Sequence, residues 1–112
     1  MNHKKVISLI GLSMKAGKIA SGEFATEKAV KTGKAYLVIA AEEASDNTKK
    51  KFRNMCEYYQ VPYYEFGKKA ELGAAIGKEF RASLTVTDEN LASALEKQMN
   101  MSATVNNNNC LA

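Results

Sequence analysis

Phe24, Lys28 and Lys31 share a spacing of three and four residues, which places them on one face of a helix. The stretch that carries them, Ser21-Gly22-Glu23-Phe24-Ala25-Thr26-Glu27-Lys28-Ala29-Val30-Lys31-Thr32-Gly33-Lys34, has a helix start at its front. Ser21 can cap, and Glu23 and Glu27 put negative charge in the early turns, where the helix dipole favours it. Its back reads as a stop, with Lys31 in the last turn and Gly33 placed for a left-handed cap. Ala25 and Ala29 form a second face, small enough to lie close on a sheet. A basic face with one aromatic thus begins at a helix N-terminus, whose free N–H groups suit phosphate. The chemistry this arrangement offers is anion binding. An ordinary surface helix with solvated lysines would show the same charges, and Phe24 is the residue that argues against it.

Catalytic chemistry is not written in the chain. Gly-Lys occurs at Gly17-Lys18, Gly33-Lys34 and Gly77-Lys78. A phosphate loop needs a glycine five positions before the pair and a Ser or Thr after it, and all three fail both tests. A Ser-His-acid set would depend on His3, the single histidine, in a terminal position with no partner in view. Glu42 and Glu43 are adjacent on what reads as a strand end, so they point apart. Cys56 and Cys110 are far apart, which indicates neither a disulfide scaffold nor a zinc site. No cofactor, metal or small-molecule substrate is expected, and the chain reads as a binder.

Composition narrows the partner. A length of 112 residues suits one domain, and 46% hydrophobic with 25% charged residues is the balance of a globular protein. No secretory or transmembrane run appears, so a cytoplasmic protein without a membrane partner is expected. The net charge of +4 is unevenly spread. Residues 1–53 carry eleven Lys/Arg against five Asp/Glu, +6, and residues 54–112 five against seven, −2. Such asymmetry points the first half toward a polyanion and by itself fits nucleic acid or an anionic membrane surface alike.

The elements that must position these residues follow in order. Ile7, Ile10 and Met14, widened by Val6 and Leu9, mark a first helix from Lys4 to Gly17. Ile19-Ala20 is a short extended lead into the second helix, and Tyr36–Ala41 is a strand. Ser45-Asp46-Asn47-Thr48 is dense in capping residues and starts a third helix with Phe52, Cys56 and Tyr59 on its core stripe. Lys49-Lys50-Lys51 and Arg53 crowd its first turns, where cations oppose the dipole. They read equally as a solvated face or a phosphate-facing patch. Val61–Phe66 is a strand that tolerates Pro62 at its start, and Lys68–Ile76 is a short helix closed by Gly77. Ala82, Leu84 and Val86 alternate with Ser83, Thr85 and Thr87, as in a half-buried strand. Thr87 and Asp88 can cap a last helix burying Leu91, Leu95 and Met99. Residues 1–101 form the expected domain, and 102–112, with four consecutive asparagines, an expected disordered tail. Alternating helices and strands mean an α/β fold.

Two separated blocks carry a family resemblance. Gly22, then Lys28, then Gly33-Lys34-Ala35 and Leu37-Val38-Ile39-Ala40 form the first. Glu71-Leu72-Gly73-Ala74-Ala75-Ile76-Gly77-Lys78-Glu79-Phe80-Arg81, followed by Leu84 and Val86, forms the second. In this order they resemble the ribosomal protein L-seven-Ae / L-thirty-e family, which binds kink-turn RNA, and the small bacterial members in particular. The resemblance covers residues 6–95. It implies a three-layer α/β/α sandwich around a small mixed four-stranded sheet, and a monomeric binder of structured RNA in ribosomal or regulatory context.

The resemblance also implies roles. The turn from Gly22 through Lys28, including Glu23 and Phe24, meets the kink, with Gly22 permitting close approach and Lys28 as the basic contact. Phe80, Arg81, Ala82 and Ser83 match the loop that supports a base turned out of the stack. Glu43 matches the position bordering the site after the central strand. Lys31 and Lys34 are phosphate candidates on charge and position alone. One departure stands out: members that read sheared G·A pairs carry Asn-Glu, or a lysine at the first of these positions, where this chain has Phe24-Ala25. Glu23 lies one residue away, about a hundred degrees around the helix. The rival expectation is a protein-interaction module that kept the fold and uses Phe24 as an apolar anchor.

Overall fold

Four apolar runs become strands and the amphipathic stretches become helices. The computed structural model describes residues 3–107, with side chains described through Asn100. In chain order the elements are α1 (His3–Lys15), β1 (Ile19–Ser21), α2 (Glu23–Lys31), β2 (Leu37–Ala40), α3 (Asp46–Tyr59), β3 (Tyr63–Glu65), α4 (Lys69–Ala75), β4 (Ser83–Val86) and α5 (Glu89–Asn107). The sheet order is β1-β4-β2-β3. β4 pairs antiparallel with both β1 and β2, and β2 pairs parallel with β3, so the sheet is mixed as expected.

The helices form two layers because the sheet is apolar on both faces. Leu37 and Ile39 of β2 join Val6 and Ile10 of α1, Leu72 of α4 and Leu95 and Met99 of α5 in one core. Val38, pointing the other way, joins Ala29 and Val30 of α2 and Phe52 and Cys56 of α3 in a second. Alternate residues of a strand face opposite sides, so all four positions of β2 are buried. Phe52 is fully buried, and truncating such a side chain to Ala costs about 3–5 kcal/mol. Burial also pushes the Cys56 thiol up to about 11, which leaves it an inert packing group.

Several details depart from expectation. β4 is buried at every position, Ser83 and Thr85 included, because α2 covers the face that the alternating pattern assigned to solvent. Thr85 Oγ1 satisfies itself on Leu37 O at 2.8 Å. The buried stripe of α1 centres on Val6, Ile10 and Ser13, with Ile7 and Met14 only partly covered. Tyr59 is exposed at the end of α3, packed edge-on against Tyr58 at 4.9 Å between ring centres, so the core stripe stops at Cys56. His3 is not idle. Its Nε2 lies 2.8 Å from Glu71 Oε2 and its ring lies 4.7 Å from that of Phe66, tying α1 to α4.

Asp88 caps α5, accepting from Leu91 N at 2.9 Å. That helix runs on to Asn107, with no Gly or Pro after Met99 to stop it. It therefore includes residues 102–107 of the expected tail, and residues 108–112 lie outside those described.

Candidate nucleic-acid interface

Sheet register gathers the candidate residues at one edge. Ser21 ends β1 opposite Leu84, and Ala40 ends β2 opposite Ser83, so the segments after β1 and β2 and the segment before β4 emerge together. Main-chain bonds lock them: Gly22 N donates to Ser83 O at 3.0 Å, and Ala41 N donates to Ala82 O at 2.8 Å. Gly22, Ala82 and Ser83 are therefore neighbours despite sixty residues of separation, and Glu43 lies a few residues beyond Ala41.

The start of α2 differs from its expected form. Its cap is Gly22, at φ 95° and ψ 160°, and no side chain caps the helix. A non-glycine residue is strained in that conformation. Ser21 is the last residue of β1, one position before the cap, and its Oγ accepts from Arg81 Nε at 3.2 Å. The first N–H groups of α2 thus have no capping bond from the Gly22 position, and such groups suit an anion. Arg81 brings a cation to this edge, its Nη1 donating to Phe80 O at 2.8 Å. Gly33, after the helix, has φ 75° and fills the left-handed position expected of it.

Two aromatics stand out beside this helix end and loop. Phe24 is 79% exposed and Phe80 57% exposed. Neither belongs to a core cluster. An exposed aromatic ring next to cations is a stacking surface for an unpaired base. The Phe80 loop is held from below: Lys78 N donates to Gly73 O at 2.7 Å and Arg81 N to Lys69 O at 3.1 Å. Glu43 accepts from Lys69 N at 2.7 Å, so its carboxylate caps α4 at the border of the same edge.

Ion pairs sort the lysines into two groups. Lys31 Nζ lies 2.8 Å from Glu27, and Lys51 of α3 reaches across to Glu27 at 2.8 Å and Glu23 at 3.1 Å. Lys31, then Lys51, hold the Glu27 carboxyl down to about 2. Lys49 and Arg53 both lie beside Glu65, at 4.0 and 3.2 Å. Three of the four members of the cation run at the start of α3 thus meet carboxylates of α2 and β3, and Lys50 meets none among the described residues. Glu23 and Lys31 are likewise engaged within the protein. Among the described residues Lys28 and Lys34 have no carboxylate partner.

The candidates therefore divide. Gly22, Glu43, Phe80, Arg81 and Ala82 line or border one edge, and Phe24 and Lys28 follow Gly22 along α2, where both line a groove. Ser83 belongs to the edge through its main-chain oxygen alone, since its side chain is fully buried with Oγ unpartnered. Lys34 sits past the far end of α2. It lines the same groove, between α2 and β1 and with a volume of about 390 Å³, together with Ala20, Phe24, Ala25, Lys28, Thr32 and Thr87. Phe24, Lys28 and Lys34 are legible in the sequence as candidates, but the groove between them needs Ala20 and Thr87 from separate segments.

Comparison with known proteins agrees with this architecture. Residues 4–108 match the ribosomal protein L7Ae/L30e/S12e/Gadd45 family. The RNA-binding protein YlxQ of Bacillus subtilis is 44% identical over 87 residues, covering 78% of this chain and 87% of that protein. The large ribosomal subunit protein eL30 of Candida albicans is 37% identical over 93 residues, covering 78% and 84%. A solved structure of a protein of unknown function from Bacillus halodurans superposes with a TM-score of 0.84 at 36% identity, covering 86% of this chain and 97% of that one.

Proposed function

The chain belongs to the ribosomal protein L7Ae/L30e/S12e/Gadd45 family, and from that premise we propose that it binds structured RNA, with a kink-turn or similarly bent helix as its target. The observation that carries the reading is the uncapped N-terminus of α2 at Gly22, with exposed Phe24, unpaired Lys28 and the Phe80-Arg81 loop around it. The helix end and Lys28 take phosphates of a sharply bent backbone. Phe80 supports a base turned out of the stack, and Arg81 adds charge beside it. A straight duplex cannot present a phosphate to α2 and an unstacked base to the Phe80 loop at once. The naming of relatives as RNA-binding and ribosomal proteins supports the RNA class.

Phe24 and Ala25 have no side-chain group that can hydrogen-bond a guanine edge. Recognition at these two positions therefore rests on shape and stacking, with base-edge reading left out. The protein acts as a binder without turnover, as a monomer in the cytoplasm.

The exposed ring of Phe24 is also what a protein partner would use as an anchor, and salt dependence separates the two readings. Phosphate contacts release counterions, so RNA affinity should fall steeply as salt rises from 50 to 200 mM, by about 0.7–0.9 in log slope per phosphate. An RNA affinity indifferent to salt, or no RNA affinity, would contradict the proposal and favour the apolar partner.

A further inference from the structure

We propose that the groove between α2 and β1 is a second RNA subsite that takes one unpaired nucleotide of a single strand. This rests on the RNA-binding reading above, shares Phe24 and Lys28 with it, and adds Ala20, Thr32, Lys34 and Thr87. The groove runs from Phe24 at the front of α2 to Thr32 and Lys34 at its back. From Phe24 to Thr32 the helix rises about 12 Å. Its volume of about 390 Å³ falls in the range of sites that enclose a small ligand.

The lining chooses the ligand. Ala20 of β1 and Ala25 and Ala29 of α2 make an apolar, uncharged part of the lining. Phe24, 79% exposed, offers a ring at one end. Lys28 and Lys34 are the cations of the lining, and among the described residues neither has a carboxylate partner. On the neighbouring surface of α2 and α3, Lys31, Lys49, Lys51 and Arg53 have one and Lys50 has none among the described residues. An apolar lining with an aromatic wall and two uncompensated cations fits a ligand that is flat, apolar-faced and anionic. A nucleotide meets all three conditions: its base lies against the alanines and Phe24, and its phosphate lies between Lys28 and Lys34. Thr32 and Thr87 supply hydroxyls at the margin. An apolar peptide would leave both cations unpaired and is disfavoured on charge. Base–aromatic stacking is tolerant of sequence, so the subsite selects single-strandedness and not a particular base.

The test uses the full chain, labelled with nitrogen-15, titrated with single-stranded penta-adenylate at low salt. Amide signals of Ala20, Ala29, Thr32 and Thr87 should shift together, with a Kd on the order of 10⁻⁴ M or tighter. Thr32→Phe, which fills the groove from an exposed position, should weaken the oligonucleotide about tenfold, the effect of losing one stacked base. The same variant should leave affinity for a blunt-ended kink-turn RNA unchanged. Lys34→Ala, whose side chain is exposed, is the second variant should Thr32→Phe fail to fold, and it too should weaken the oligonucleotide. The inference is overturned by absent shifts, by shifts confined to the Gly22 edge, or by oligonucleotide affinity indifferent to both variants. It is equally overturned if an uncharged aromatic peptide moves the same amides at lower concentration. Kink-turn binding without oligonucleotide binding removes the subsite and keeps the main reading. Oligonucleotide binding without kink-turn binding removes the kink-turn reading and keeps the groove.

Discussion

Gly73 and Gly11 are both helical glycines, and the structure predicts opposite outcomes for the same substitution. A Cβ at Gly73 would stand 2.6 Å from Glu79 O, 2.7 Å from Glu79 C and 2.9 Å from Phe80 N. All three are main-chain atoms, and the loop they belong to is fixed by Lys78 N to Gly73 O and Arg81 N to Lys69 O. The loop cannot yield without breaking those bonds. Exchanging Gly for Ala inside a helix gains about 1 kcal/mol from propensity, while overpacking costs about 1–3 kcal/mol. For Gly73→Ala the clash with main-chain atoms offsets that gain and leaves a net loss of up to about 2 kcal/mol. At Gly11 a Cβ meets only Ala75 O at 3.4 Å, an ordinary contact. There the propensity gain stands nearly alone, so Gly11→Ala should stabilise by about 0.5–1 kcal/mol. Each kcal/mol moves the melting temperature of a domain this size by about 4–8 °C. The two variants should therefore melt up to about 20 °C apart, on either side of the parent. Because the displaced atoms lead into Phe80 and Arg81, Gly73→Ala should also weaken kink-turn RNA while Gly11→Ala leaves it unchanged. If Gly73→Ala melts at or above the parent with RNA affinity intact, the loop is not seated on that glycine.

Lys28→Ala should weaken RNA by about 1–3 kcal/mol with little change in melting temperature, since the side chain is exposed and unpaired; Lys68→Ala, on the acidic half, is the control and should bind like the parent. Phe80→Ala should cost about 1–3 kcal/mol of binding through lost stacking. With the ring 57% exposed and outside both cores, its melting temperature should barely move, and a large drop would make Phe80 a core residue. Acid should weaken the α2–α3 contact: the Glu27 carboxyl is held at about 2 against an ordinary 4.5, so its pairing with Lys31 and Lys51 contributes above pH 4.5 and is lost as pH falls toward 2. Melting temperature measured over that window should fall less in Glu27→Gln than in the parent, and parallel curves would dismiss the pairing.

Much of the fold is legible in the sequence because its signals are local. Apolar periodicity marks Val6 and Ile10, Phe52 and Cys56, and Leu91 and Leu95, and the cap at Asp88 and the stop at Gly33 follow from residue type. What stayed hidden depends on partners distant in sequence. Ser83 and Thr85 look solvent-facing until α2 is known to lie over β4. Lys49, Lys51 and Arg53 look like an uncompensated patch until α2 and β3 bring Glu27, Glu23 and Glu65 to them. Ser21 reads as a cap, but it ends β1, and the antiparallel pairing of β1 with β4 brings Arg81 to its hydroxyl. The candidate site shows the same division. Gly22, Lys28 and the Phe80 loop are recognisable as motifs, whereas the groove under Lys34 exists only once α2 is laid on β1.

Selection of bent RNA is measured by a competition titration at fixed, physiological salt. A labelled kink-turn RNA bound to the chain is displaced with unlabelled kink-turn RNA, or with a straight duplex of equal length and charge. Contacts at Gly22, Lys28 and Phe80 together demand a bend, so the kink-turn should compete at least tenfold better, a difference of about 1.4 kcal/mol. Equal competition by the straight duplex would reduce the interface to nonspecific attraction by its lysines and contradict the account.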